Sequence, residues 1–123
     1  MDSTIFKKMR LKQGTNGIFL HAPEEYIAMA KGQDVIDFSQ HDKYDFVHLF
    51  IESKQDYFDR IRDALDKLSE SGTLWISYPK SDKKHQYDIN RDGIFQLTPE
   101  NGIDACSNIA LDEHWSALRF KKI

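Results

Sequence analysis

The sequence predicts a three-layer α/β domain with about six strands, mostly parallel, closed at one edge by a C-terminal antiparallel hairpin. Two observations carry that prediction. In YDFVHLFIES, residues 44 to 53, the residues Phe46, Val47, Leu49, Phe50 and Ile51 form an almost unbroken apolar run, as a strand covered on both faces requires. In the segment that follows, KQDYFDRIRDALDKLSESG, the residues Tyr57, Phe58, Ile61, Ala64, Leu65 and Leu68 recur at three- and four-residue steps opposite a charged face. Gly72 reads as the stop of that amphipathic helix, and TLWISY opens a second buried strand immediately after it. Strand, helix and strand on short joints make a crossover, so these two strands are expected to be parallel neighbours.

The other elements follow from N- to C-terminus. TIFKKMRLK, residues 4 to 12, suggests a short helix stopped by Gly14. The apolar run 17 to 22, GIFLHA, reads as the first strand. Pro23 suits the first turn of the next helix because its missing N–H would have had no partner there, and Glu24 and Glu25 suit the positive end of the helix dipole. That helix is expected to close at Gly32, and 34 to 38, DVIDF, to form a short strand. Asn90 in DINRD is the expected cap of a further helix that bends or breaks at Pro99. Residues 103 to 111 and 114 to 123 supply the two strands of the terminal hairpin.

Length and composition bound the rest. The chain has 123 residues, is 40% hydrophobic and holds two Trp, five Tyr and eight Phe, enough for one domain with a real core, residues 1 to 123. No apolar run is long enough to span a bilayer and the N-terminal MDSTIFKKMR lacks a secretory core, so a cytoplasmic protein without membrane contact is expected. The single cysteine, Cys106, forms no intrachain disulfide and is expected to be a small buried side chain. Seventeen basic residues against twenty acidic ones leave a net charge of −3, which draws the chain neither to nucleic acid nor to anionic lipid. The basic run Lys83, Lys84, His85 lacks an aromatic platform and reads as a solvated loop.

HAPEEY, YDFVHLF, LWISYPK, the DINRD cap and DEHWSALRF, in that order and spacing, resemble a family of short bacterial proteins of unknown function. That family is similar to a shortened class I methyltransferase-like, Rossmann-like domain. The resemblance implies architecture, and a fold alone is no warrant for a reaction. Against the methyltransferase pattern, the turn after the first strand is His21-Ala22-Pro23-Glu24, without the glycines that let a backbone approach a nucleotide-like ligand. No bound S-adenosylmethionine, and no other cofactor, is therefore expected. Asp37 stands where an acidic residue would bind a ribose, or simply ends a strand at the surface.

Open α/β sheets place ligands beyond the carboxyl ends of their strands. The rim so defined collects His21, Pro23 and Glu24, then Glu52 and Ser53, then Tyr78, Pro79 and Lys80, with Asn90 and Arg91 alongside if loop 81 to 89 folds back. Of these, His21, Glu24, Glu52, Lys80 and Arg91 are the candidate ligand-binding residues, and Lys80 and Arg91 suit an anionic group. The same residues also read as the polar ends of ordinary strands. The five histidines show no metal-ligand spacing, and His48, between Phe46 and Phe50, reads as a hydrogen-bonded core histidine. No GxSxG elbow surrounds a serine. Trp115 and Arg119 share a strand face, as structural packing or as an anchor for a protein partner. Two functions stay open: a non-catalytic binding or regulatory module, or a small enzyme acting on an anionic small molecule at this rim.

Overall fold

In a computed structural model describing residues 2–123, one six-stranded sheet runs through the molecule. Its elements are α1 (Ile5–Lys8), β1 (Thr15–Leu20), α2 (Glu24–Lys31), β2 (Ile36–Asp37), β3 (Tyr44–Phe50), α3 (Lys54–Lys67), β4 (Leu68–Pro79), α4 (Arg91–Leu97), a 3-10 turn (Thr98–Asn101), β5 (Ile103–Ala110) and β6 (Trp115–Lys122). The strand order is β2-β1-β3-β4-β6-β5. The first three junctions are parallel, the last two antiparallel.

Alternation along the central strands divides the core into two layers. Val47, Leu49 and Ile51 of the β3 segment, with Leu74 and Ile76 of β4 and Leu118 and Phe120 of β6, pack with Tyr57, Ile61 and Ala64 of α3 and Ile94 of α4. On the other face Phe46, Phe50, Trp75, Trp115 and Ala117 pack with Ile5 and Phe6 of α1 and Tyr26 and Ala30 of α2. A strand buried on both faces has no polar side to display, which is why 44 to 51 reads as continuous apolar sequence.

The start of α3 is fixed by Ser53, whose Oγ accepts a hydrogen bond from the Asp56 N–H at 3.0 Å. Ser53→Ala is expected to lower stability by about 1 kcal/mol, read as a shifted urea midpoint with an unchanged slope. The α3 C-terminus differs from the expectation. Gly72 does not stop this helix: it ends at Lys67, and Leu68 turns to extended backbone and pairs with Tyr44. Leu68 is fully buried in its sheet position, beside Tyr44. Residues 69 to 72 then bulge between the Tyr44–Leu68 and Phe46–Thr73 pairs. Gly72 serves that bulge, since a Cβ there would lie 2.7 Å from Ser69 Oγ and 3.0 Å from the Tyr44 carbonyl oxygen.

Smaller differences have local causes. The first helix is one turn, and β1 begins at Thr15, two residues before the apolar run. Pro23 is the N-cap of α2, in extended backbone at φ −61°, ψ 146°. The second strand shrinks to Ile36–Asp37 because Asp37 turns the chain by accepting the Ser39 N–H at 2.9 Å. Asn90 caps α4 through the Gly93 N–H at 2.8 Å, and the helix tightens into the 3-10 turn at Pro99 before Gly102, at φ 72°, ends it. Cys106 is exposed rather than buried. It lies on β5, the outer strand of the sheet, where the ladder to β6 shifts register between Ala105 and Ser107. Among the described residues, no helix is long and apolar enough to cross a membrane.

Candidate functional site at the carboxyl ends of the strands

The rim is assembled from the ends of β1, β3 and β4. After β1 the chain turns through His21, an exposed residue in the left-handed region at φ 59°, and enters α2 with Glu24 and Glu25 in its first turn. After β3 the exposed Glu52 donates its backbone N–H to the Asp56 carboxylate at 2.9 Å. Asp56 also pairs with Arg60 at 3.2 Å, and Arg60 donates to the Phe50 carbonyl at 2.9 Å. These contacts bind the end of β3 to α3.

After β4 the chain meets the hairpin. The Lys80 N–H donates to the His114 carbonyl at 2.8 Å, and its ammonium to the Asp112 carbonyl at 3.1 Å. Asp112 in turn accepts the N–H groups of His114 and Trp115 at 2.8 and 2.7 Å. Lys80 is thus an anchor of the β5–β6 turn. Loop 81 to 89 does fold back: the buried Ile89 joins the α3 layer, and Asp88 accepts the Lys54 N–H at 3.0 Å. Its basic run is a turn closed on Asp82, which accepts the N–H groups of Lys84 and His85 at 2.8 and 2.7 Å. Those backbone hydrogen bonds also hold the Asp82 carboxyl below its ordinary range.

The fold-back brings Arg91 to a cleft of about 420 Å³. Tyr78 from the end of β4, Ser116 from its β6 partner position, Asn108 from β5, and Asn90 and Asp92 beside Arg91 complete its lining. The Arg91 guanidinium lies 3.7 Å from Asp92 and is more than half exposed, as is the carboxylate. Hydroxyl, amide and guanidinium groups in one cleft suit the orientation of a polar, anionic small molecule. His21, Glu24, Glu52 and Lys80 do not line this cleft; Lys80 is held by the β5–β6 turn and the Glu52 backbone by Asp56.

One polar cluster escaped the sequence in its partners. His48 is fully buried, with Nδ1 2.7 Å from the Tyr26 hydroxyl, Nε2 2.6 Å from Ser77 Oγ, and its ring stacked at 4.4 Å on Phe50. Burial pushes its pKa from 6.5 down to about 3 and raises that of Tyr26 well above the ordinary phenol range. A base that weak, sealed from substrate, does not activate Ser77 near neutrality. The cluster satisfies its own hydrogen bonds in the core. Among the described residues, no group of three or more His, Cys, Asp or Glu side chains is placed to hold a metal ion.

The parallel strands, the antiparallel terminal pair and helices on both faces define a methyltransferase-like α/β domain. Solved structures bear this out at the level of fold. The chain matches a SAM dependent methyltransferase from Aquifex aeolicus at a TM-score of 0.59 and 10% identity, covering 98% of this chain and 88% of that one. It matches a tRNA methyltransferase from B. subtilis at 0.59 and 11%, covering 100% and 67%, and one from M. jannaschii at 0.58 and 15%, covering 96% and 47%. The chain belongs to the family described as protein of unknown function (DUF3052), whose model matches residues 22–123. A search of curated proteins finds no match.

The residues at the end of β1 do not fit S-adenosylmethionine, on which the matched Aquifex aeolicus enzyme depends. None of the chain's six glycines lies in the turn from 21 to 24. The one glycine within β1, Gly17, is closed off: a Cβ there would lie 2.9 Å from the Phe46 ring and 3.0 Å from Ile36. Asp37, at the end of β2, is engaged by the Ser39 N–H and lies 4.0 Å from His41.

Proposed function

We propose that this protein is a small binding or regulatory module that uses a methyltransferase-like sheet without S-adenosylmethionine. The observation that carries this reading is the turn after β1, where His21, Ala22, Pro23 and two first-turn carboxylates stand in place of a glycine-rich approach. Two acidic side chains at the start of α2 add charge of the wrong sign for the cofactor's carboxylate. The ligand of the module is a polar anionic small molecule held at the strand-end cleft, with Arg91 as its charged contact and Tyr78, Asn90 and Ser116 as hydrogen-bonding neighbours. In this reading His21, Glu24, Glu52 and Lys80 shape the rim around that cleft, and no nucleic acid is engaged.

The test is isothermal titration calorimetry of the purified protein with S-adenosylmethionine and S-adenosylhomocysteine. The expected result is no heat of binding at concentrations where a micromolar complex would saturate; a micromolar dissociation constant for either compound would overturn the reading. A panel of small carboxylates and phosphates, run against wild type and Arg91→Ala, tests the cleft. A ligand whose affinity is unchanged in the variant removes Arg91 from the site.

A further inference from the structure

A second cavity, of about 300 Å³, lies on the sheet face covered by α1, where the chain leaving that helix meets β4, β6 and β5. Its polar lining comes from Lys8, Arg10, Trp75, Ser107, Asn108 and Arg119, and no carboxylate lines it. Trp75 and Arg119 face each other across the β4–β6 ladder, and Ser107 is the β5 partner of Arg119. Partners directly opposite in a ladder project to one face of a sheet, so these three side chains stand together.

Two donors there are unmatched. Trp75 is 1% exposed and its indole N–H has no acceptor; the Arg119 Nε is likewise buried without one. Buried donors in native proteins are paired as a rule, and an orphan marks the place of a ligand, ion or water. Charge points the same way. Among the described residues, none of Lys8, Arg10 and Arg119 is in an ion pair. The chain as a whole is acidic, at −3, so three cations without a counter-charge around one recess make a local positive field in a negative molecule. Arg10 takes a left-handed φ of 61°, which turns the chain after α1 so that residues 8 and 10 both reach the recess.

We propose that this cavity is a second ligand site, which binds a small molecule through a phosphate or carboxylate group. The oxyanion accepts from the Trp75 indole and the Arg119 guanidinium, a planar donor set suited to such groups, with Lys8 and Arg10 completing its neutralisation. The volume is at the lower end of small-ligand clefts, so the ligand is a compact anion rather than a dinucleotide. The site differs from the strand-end cleft, which gathers Tyr78, Asn90, Arg91, Asp92 and Ser116; Asn108 is the one residue that lines both.

The probes are inorganic phosphate, sulfate and malonate. Trp75 and Trp115 are the only tryptophans, so intrinsic fluorescence reports the first titration and calorimetry repeats it for the variants. At least one probe is expected to bind with a dissociation constant below about 1 mM. Trp75→Phe, which keeps the ring and removes the donor, is expected to weaken that probe about tenfold, and Arg119→Gln further. Lys84→Ala, a cation outside the cavity, controls for general charge and is expected to leave the affinity within about twofold. No response to any probe up to about 10 mM overturns the proposal. So does equal binding by wild type and Trp75→Phe, with thermal melting showing that variant folded, or a loss in Lys84→Ala as large as in Arg119→Gln.

Discussion

Acidification below neutrality is expected to destabilise this protein steeply, with His48 as a principal driver. Its imidazole is fully buried between Tyr26 and Ser77, and burial takes its pKa from 6.5 to about 3. Between those values the unfolded chain binds a proton that the folded chain refuses. The sign follows: the contribution of neutral His48 is intact above pH 6.5, is lost progressively as pH falls, and is gone below about pH 3. Each pH unit in that window removes roughly 1 kcal/mol, on the order of a few kcal/mol in all. That is a large share of the stability of a domain of this size. Carboxylates add their own slope at the acid end, so the informative quantity is a difference. Urea melts of wild type and His48→Gln, from about pH 7 to about pH 4.5, are expected to show wild type losing stability faster by roughly 1 kcal/mol per pH unit. Parallel slopes would mean that His48 is not the titrating group.

Phe46→Ala is the second large effect. The ring is fully buried at the centre of the sheet, and truncation of a core Phe costs about 3 to 5 kcal/mol through lost burial and the void left behind. Here the void has a defined neighbour, because the Phe46 ring fills the space over Gly17, 2.9 Å from where a Cβ would stand. Gly17→Ala alone is expected to be destabilising by about 1 to 3 kcal/mol through overpacking. In the double variant the methyl group introduced at position 17 grows into the space that Phe46 vacated, so the combined loss is expected to fall short of the sum by roughly 1 kcal/mol or more. Chemical denaturation of the four proteins measures the coupling. Strict additivity would show that the two positions do not share that space.

The fold was legible in this sequence where burial writes itself into periodicity. The apolar run of β3, the stripe of α3 and the terminal strands each declare a type and a partner, and the parallel β3–β4 and antiparallel β5–β6 pairs follow from them. What the sequence left out depends on pairings distant along the chain. The helical stripe continues in step as far as Leu68, and only the contact with Tyr44 pulls that residue into the sheet, which is why Gly72 resembled a helix stop. Cys106 sits in an apolar-looking phrase, but it falls at the register shift of the outer strand and stays exposed. The candidate rim was legible as a list of strand ends and not as a geometry. Lys80, a free cation in the sequence, is committed to the Asp112 carbonyl, whereas Arg91 reaches the cleft because Asp88 and Ile89 tie the preceding loop to the α3 layer. The facing of Trp75 and Arg119 is a matter of register between β4 and β6, which no local pattern encodes.

The irregular outer strand β5 also bears on how this protein behaves in company. A sheet edge offers a row of backbone donors and acceptors that another strand can extend. On β5 that row changes rhythm between Ala105 and Ser107, and its exposed positions include Asp104, Ser107 and Asn108. A second molecule that began to pair along this edge would fall out of step within a few residues and meet a polar fringe instead of an oily one. At this edge of the sheet, the register shift and the polar fringe work against strand-to-strand extension.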